Sequence, residues 1–191
     1  MRAYNIGLFF CFSLFFFNST EAGAWSKDEK NFDKINKLIA NKEYQRAYPL
    51  LLDSARKGNG LSQFVLGLYY RNGWGIGIDV GKSCHWFKSA ANKGIPAAQG
   101  FWADCMMTSR NIDHKSASAA LAMYVKAAEN GYFIAWCQAA DFYIKGLWVN
   151  KDVKKGLDLC AMAAERSVPT AMHKYGNYLH EVEEPYKNLE K

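Results

Sequence analysis

One spacing constrains this chain more than any other feature. The pattern A-A-x-x-G, intact or decayed, occurs at Ser54-Ala55…Gly58, Ala90-Ala91…Gly94, Ala127-Ala128…Gly131 and Ala163-Ala164…Ser167. The second alanines of these four copies lie 36, 37 and 36 residues apart. A period of that length marks a supersecondary unit that cannot bury its apolar face alone and is stabilised by stacking on its neighbours.

Each block resolves into two helices. The first block reads Leu66-Gly67-x-x-Tyr70-x-x-Gly73-x-Gly75-Ile76-x-x-Asp79-x-x-Lys82-x-x-x-Trp86-Phe87. Leu66, Gly67 and Tyr70 fall at helical spacing, and the small residue admits a close neighbour. Gly73 and Gly75 punctuate the turn. Asp79 and Asp152 stand where an N-cap belongs, accepting from free backbone N–H groups at the start of the second helix. That helix carries Trp86, Phe87, Ala90 and Ala91 on one face, and Gly94 and Gly131 end it where a left-handed residue is needed. The third block keeps Ala140, Tyr143, Gly146, Asp152 and Lys155. The second is the most worn, with Trp102, Ala103 and Met106 on its first helix and Ala120, Met123 and Tyr124 on its second.

These residues resemble the Sel1-like repeat, a tetratricopeptide-like helical hairpin. The resemblance implies an all-α, right-handed α-solenoid of stacked helical hairpins, covering roughly Ala47 to Leu179. Three full hairpins are expected at about 61–94, 98–131 and 135–167, grouped as a repeat region 61–167. An irregular N-terminal hairpin, 27–58 within 25–60, precedes them. A capping helix at about 169–181, within a C-terminal segment 168–191, follows. Pro49 predicts a kink or a late start in the second helix of the N-terminal pair, because proline removes a helix bond.

The N-terminal residues read as an address. Arg2 precedes the twelve-residue apolar run Ile6–Phe17, and Ala22-Gly23-Ala24 forms a cleavage site before Trp25. These are the three parts of a secretory signal peptide, residues 1–24. Twelve helical residues rise about 18 Å, short of a bilayer core of about 30 Å. A retained anchor is the alternative. No later stretch is apolar enough to span a membrane, so no integral span is expected after cleavage. The net charge of +6 is scattered through every repeat, with acidic residues between. That distribution argues against nucleic acid and for mild attraction to an anionic envelope or acidic partner.

Cysteine usage agrees with export. Without Cys11 an even set remains: Cys84, Cys105, Cys137 and Cys160. Four cysteines in an oxidising compartment suggest two disulfides with three possible connectivities, and buried thiols are the alternative. With the repeat's helices assigned, the favoured pairs are Cys84–Cys105 and Cys137–Cys160. Each joins a second helix to a first helix. A cysteine-rich Sel1-like subgroup places Cys on the second alanine; Ala91 and Ala128 occupy those slots here, so the cross-links must differ.

Motifs that could carry chemistry are weak. Gly73-Trp74-Gly75-Ile76-Gly77 follows a helix, not the strand that a nucleotide loop requires. Ser54-Ala55-Arg56-Lys57 spells the S-x-x-K of serine β-lactamases, and some cysteine-rich Sel1-like proteins are linked to β-lactam binding. The companion S-D-N and K-T-G motifs are absent, and Ser54 already fills a repeat position. His85, His114, His173 and His180 form no metal-ligand spacing. No metal, cofactor or catalytic trio is expected.

A concave face of first helices is the expected binding surface. By analogy with tetratricopeptide repeats, its exposed positions lie two, five and six residues after the Leu of Leu-Gly. These are Leu68, Arg71 and Asn72; Asp104, Met107 and Thr108; Asp141, Ile144 and Lys145; and Asn177, His180 and Glu181, with His173 one turn earlier. Asp104, Asp141 and Asn177 share one register and form a polar ladder. With Arg71, Lys145 and His173 it is expected to read a partner's backbone or basic side chains, and charge reversal at Asp104 and Asp141 to weaken binding without changing helicity. Trp74 and Trp148 are candidate exposed anchors. The expected function is a non-catalytic, exported scaffold for a protein or peptide partner, in a bacterial periplasm or secreted, with a cell-envelope or host-interaction role. Two alternatives are a periplasmic immunity or inhibitor protein against a toxin, and a β-lactam-binding hydrolase using Ser54.

Overall fold

The computed structural model describes residues 27–108 and 112–187, with side-chain environments from 31 to 181. The expected signal segment, 1–24, lies outside the described residues. Among them are nine helices and no strand. They are α1 Lys27–Ala40, α2 Tyr44–Arg56, α3 Gly60–Asn72, α4 Val80–Asn92, α5 Pro96–Met107, α6 His114–Glu129, α7 Ile134–Lys145, α8 Val153–Glu165 and α9 Pro169–Lys187. Each helix packs on its neighbours in sequence, and α7 also touches α9, so hairpins stack in chain order. In α2 the helix begins at Tyr44, five residues before Pro49, so the proline does not delay its start.

The second helices of the three repeats, α4, α6 and α8, begin on aspartates. Asp79 accepts from Lys82 N–H at 2.9 Å and Asp152 from Lys155 N–H at 2.9 Å. Asp113 does the same for α6, accepting from Ser116 N–H at 2.8 Å. Asn59 caps the first helix α3 through Ser62 N–H at 2.8 Å. Each bond satisfies one of the donors that an α-helix leaves orphaned at its start.

The alanines of the repeat are the points where helices touch. Ala55, Ala90, Ala127, Ala128 and Ala163 are all at most 1% exposed, and Ala98, Ala103, Ala135, Ala139 and Ala140 are fully buried. A methyl group is all that fits where three helices cross closely. Gly67 is tighter still: a Cβ placed there would lie 2.5 Å from the ring of Phe87. Phe87 in turn meets Phe64 and Phe101, with ring centroids 5.8 and 4.9 Å away, joining α3, α4 and α5.

Two cross-links tie this stack. Cys84 and Cys105 are bonded at 2.06 Å across the boundary between α4 and α5. Cys137 and Cys160 are bonded at 1.95 Å within the α7–α8 hairpin. These are the favoured pairs. Helical register explains them, since each places a second-helix residue beside a first-helix residue of an adjacent element.

Candidate functional site

The first helices α3, α5, α7 and α9 are knitted together by side chains one repeat apart. Asp104 of α5 accepts from Gln138 Nε2 of α7 at 3.0 Å and from Tyr124 Oη of α6 at 2.7 Å. Asp141 of α7 pairs with Lys174 of α9, and with Lys145 of its own helix at 2.7 Å. Arg71 of α3 lies over the ring of Phe101 in α5, 4.7 Å from its centroid. Gln138 and Lys174 each fall one helical turn before the repeat equivalent of the aspartate they contact. Leu68 and Phe101 hold the same two registers in α3 and α5, where both residues are apolar.

The electrostatics of the two aspartates differ. Burial raises Asp104 above the usual carboxylate range, against the Tyr124 hydrogen bond and the positive charges of Arg71 and Lys174. Burial also pushes Asp141 upward, but the ammonium groups of Lys145 and Lys174 prevail and hold it below that range. The phenols beside them respond as expected. Tyr124 is raised by burial and by the Asp104 charge, and Tyr132 is pushed up to about 12, chiefly by burial.

The structure therefore gives the ladder a different character from the one anticipated. Asp104 and Asp141 do share a register, yet both are half-buried and engaged by internal partners. Their carboxylates link successive first helices. An Asp104→Lys change would strand the Tyr124 and Gln138 donors and set an ammonium near Arg71. Leaving a buried donor unpaired costs about 1–3 kcal/mol, so charge reversal there would disturb helix packing as well as any binding.

What remains outward on this face is Arg71, Asn72, Thr108, Lys145, His173, Asn177, His180 and Glu181, all exposed, with Met107 half-buried. His173 and Asn177 lie one turn apart, Nε2 to Nδ2 3.4 Å. Ile144 is only 8% exposed and belongs to the core, not to the face. Trp74 is likewise half-buried. It stacks on Tyr44 at 5.3 Å and meets Tyr69 edge-on at 5.8 Å, so it anchors the N-terminal hairpin beneath the turn. Trp148 is 40% exposed in the α7–α8 turn, beside a shallow cleft of about 510 Å³ lined also by His114, Ser118 and Val149.

Ser54 is placed in the α2–α3 contact. Its hydroxyl lies 2.8 Å from that of buried Ser62, while the Lys57 ammonium pairs with Asp53 at 2.6 Å. That hydroxyl serves helix packing. Among the described residues no group of three His, Cys, Asp or Glu side chains is placed to hold a metal, and no helix is long and apolar enough to cross a membrane.

The family model of the Sel1 repeat matches residues 60–95, 96–132 and 136–168, more than half of the chain. The chain belongs to the Sel1-repeat family. Solved structures agree. A Sel1 repeat protein from Oxalobacter formigenes shares 26% identity over 79% of this chain, with a TM-score of 0.68. A protective antigen present in uropathogenic Escherichia coli strains, displaying an SLR fold, shares 23% over 76% of the chain, with a TM-score of 0.67. The chain spans 65% of the length of the first and 32% of the second. No curated protein matches. Sel1-repeat proteins are all-α solenoids that generally mediate protein–protein interaction and typically act as non-catalytic scaffolds.

The residues that sequence reasoning missed are the partners: Tyr124, Gln138 and Lys174. The signal was available, because each first-helix partner sits one turn before an aspartate's repeat equivalent. It becomes legible only once the packing offset between successive first helices is known.

Proposed function

We propose that this Sel1-repeat protein is an exported, non-catalytic scaffold that grips a protein partner along its first-helix face. The contact would be made by Arg71, Met107, Lys145, His173 and Asn177, with Asn72 and Thr108 beside them. Asp104 and Asp141 would position those helices. The observation that carries this reading is the row of exposed side chains at repeating positions on α3, α5, α7 and α9, braced from beneath by the Asp104 and Asp141 contacts. Extended faces of this kind are how solenoids recognise partners. Around Asp141 two ammonium groups serve one carboxylate, which favours an acidic segment over the basic one expected from sequence. The disulfides and the N-terminal apolar run support export, and a cell-envelope or host-interaction role in a bacterial periplasm follows from that. A partner that is a toxin would make the protein an inhibitor using the same face.

The test is a crosslinked pull-down from envelope extract, comparing wild type with an Asn72→Glu/Thr108→Glu/Asn177→Glu variant, whose added negative charge repels an acidic segment. These three positions are exposed, so helicity should be unchanged. Capture of one protein by wild type and its loss in the variant is the expected result. Equal capture would move the contact off this face, and no capture by either would remove the support for a scaffold.

A further inference from the structure

We infer that the groove between the start of α5 and the end of α6 is a binding site for a carboxylate carried on a short apolar stem. Repeat register explains why a site exists there. The C-cap residues of the three second helices, Lys93, Asn130 and Arg166, are repeat equivalents, as are Gly60, Pro96 and Phe133 at the starts of the first helices. In the outer hairpins the long C-cap side chain folds back over that start. Lys93 Cβ lies 3.0 Å from a Cβ built on Gly60, and the Arg166 guanidinium lies 5.1 Å from the Phe133 ring centroid. In the middle hairpin the shorter Asn130 instead donates to Gln99 Oε1 at 3.1 Å. The space beside Pro96 is left as a cleft of about 520 Å³, within the size range of small-molecule sites.

The polar groups around the cleft are donors. Gln99 is 1% exposed, and with its Oε1 taken by Asn130, its Nε2 donates to no group among the described residues. The equivalent Gln63 Nε2 is spent on the Ala55 carbonyl at 3.1 Å. A buried amide N–H with no acceptor calls for one. Lys126 lines the cleft one turn before Asn130, is exposed, and forms no ion pair among the described residues. Its repeat equivalents Ser89 and Met162 are uncharged. Asn92 of α4 stands opposite, and no acidic residue lines the cleft. The carbonyls at the ends of α4 and α6 are already engaged: Ala90 and Ala91 accept from Lys93 and Gly94 N–H, and Lys126 and Ala128 from Asn130 and Gly131 N–H. Helix α5 starts on Ile95 with no side-chain cap, so its positive end adds to the field.

An ammonium, a buried amide N–H and two asparagine amides select a negatively charged head that only accepts hydrogen bonds. Ala91, Pro96 and Met123 supply an apolar wall for its stem, in the place that the Lys93 and Arg166 stems take in the outer hairpins. The same head is carried by a free acid, a glutamate side chain or a chain terminus, and the experiment separates these sources.

The experiment is a nuclear magnetic resonance titration of the isotope-labelled purified protein, following the side-chain amides of Gln99 and Asn130. The probes are butyrate, N-acetylglutamic acid α-amide and N-acetylalanine, with N-acetylalaninamide as the uncharged control. The expected result is saturable shifts of both amides with the carboxylates and none with the control, and the tightest of the three acids names the source. Lys126→Met should weaken binding about fivefold. Asn130→Lys rebuilds the arrangement of the α3–α4 hairpin and should abolish binding although it adds a positive charge. Shifts that do not saturate, equal binding of N-acetylalaninamide, or an unchanged affinity in Lys126→Met overturns the proposal. Binding kept or strengthened in Asn130→Lys also overturns it, because surface charge without the cleft would then account for the affinity.

Discussion

The two aspartates that brace the first helices should respond to pH in opposite senses. Asp141 is held below the ordinary carboxylate value by Lys145 and Lys174 in spite of its burial. Its folded-state value is depressed, so its contribution to stability is present above the unfolded value and is lost as pH falls through the folded one. Asp104 is raised by burial. Folding therefore favours its proton, and the ionised form costs stability as pH rises through the raised value. The isosteric amides separate the two effects. Asp141→Asn gives up both ion pairs, but Lys145 is 53% exposed on its side chain and screened by water. The loss at neutral pH should be about 1–2 kcal/mol, disappearing once the wild-type carboxyl is protonated. Asp104→Asn keeps an oxygen for both Tyr124 and Gln138 and removes a half-buried charge. It should be neutral or stabilising by up to about 1 kcal/mol at neutral pH, since hydrogen-bonded replacements without charge cost little. Urea unfolding followed by circular dichroism, at neutral pH and again below the carboxylate range, measures both. The reasoning is refuted if Asp104→Asn costs as much as Asp141→Asn at neutral pH, or if neither difference changes with pH.

Other consequences follow from packing and backbone geometry. Gly67→Ala drives a methyl group to 2.5 Å from the Phe87 ring, itself 1% exposed. The overpacking should cost about 1–3 kcal/mol, seen as a lower thermal midpoint; an unchanged midpoint would show that the ring can move. Ser167 occupies the glycine position of the last A-A-x-x-G copy with φ +57°. Ser167→Gly should gain up to about 1 kcal/mol by relieving the left-handed backbone, and a loss in chemical denaturation would contradict that. Cys84 and Cys105 are half-buried while Cys137 and Cys160 are fully buried. Mild reductant followed by alkylation and mass spectrometry should therefore open the Cys84–Cys105 bridge first. Because that bridge closes a span of 21 residues, its loss should destabilise by about 3 kcal/mol; opening in the reverse order would show that burial does not control access.

Local signals and tertiary ones separate cleanly in this protein. Periodicity, caps and turn glycines are properties of a few consecutive residues, so the hairpin repeat, the Asp79 and Asp152 caps and the all-α solenoid class were legible from the chain alone. The disulfide partners could be favoured for the same reason, since helical register places each cysteine on a known face. The fate of individual polar side chains was not legible. Asp104, Asp141 and Asn177 share a register, and sequence gives no reason to treat them differently. Only the stacked structure shows that Gln138 and Tyr124 meet the first carboxylate, that Lys145 and Lys174 meet the second, and that Asn177 stays exposed beside His173. Trp74 taught the same lesson in reverse, turning inward onto Tyr44 because the N-terminal hairpin supplies a ring to stack on. Repeat class depends on local backbone preference and so is written along the chain. Which side chain reaches which depends on the offset between helices far apart in sequence, and that offset is settled only when the hairpins pack.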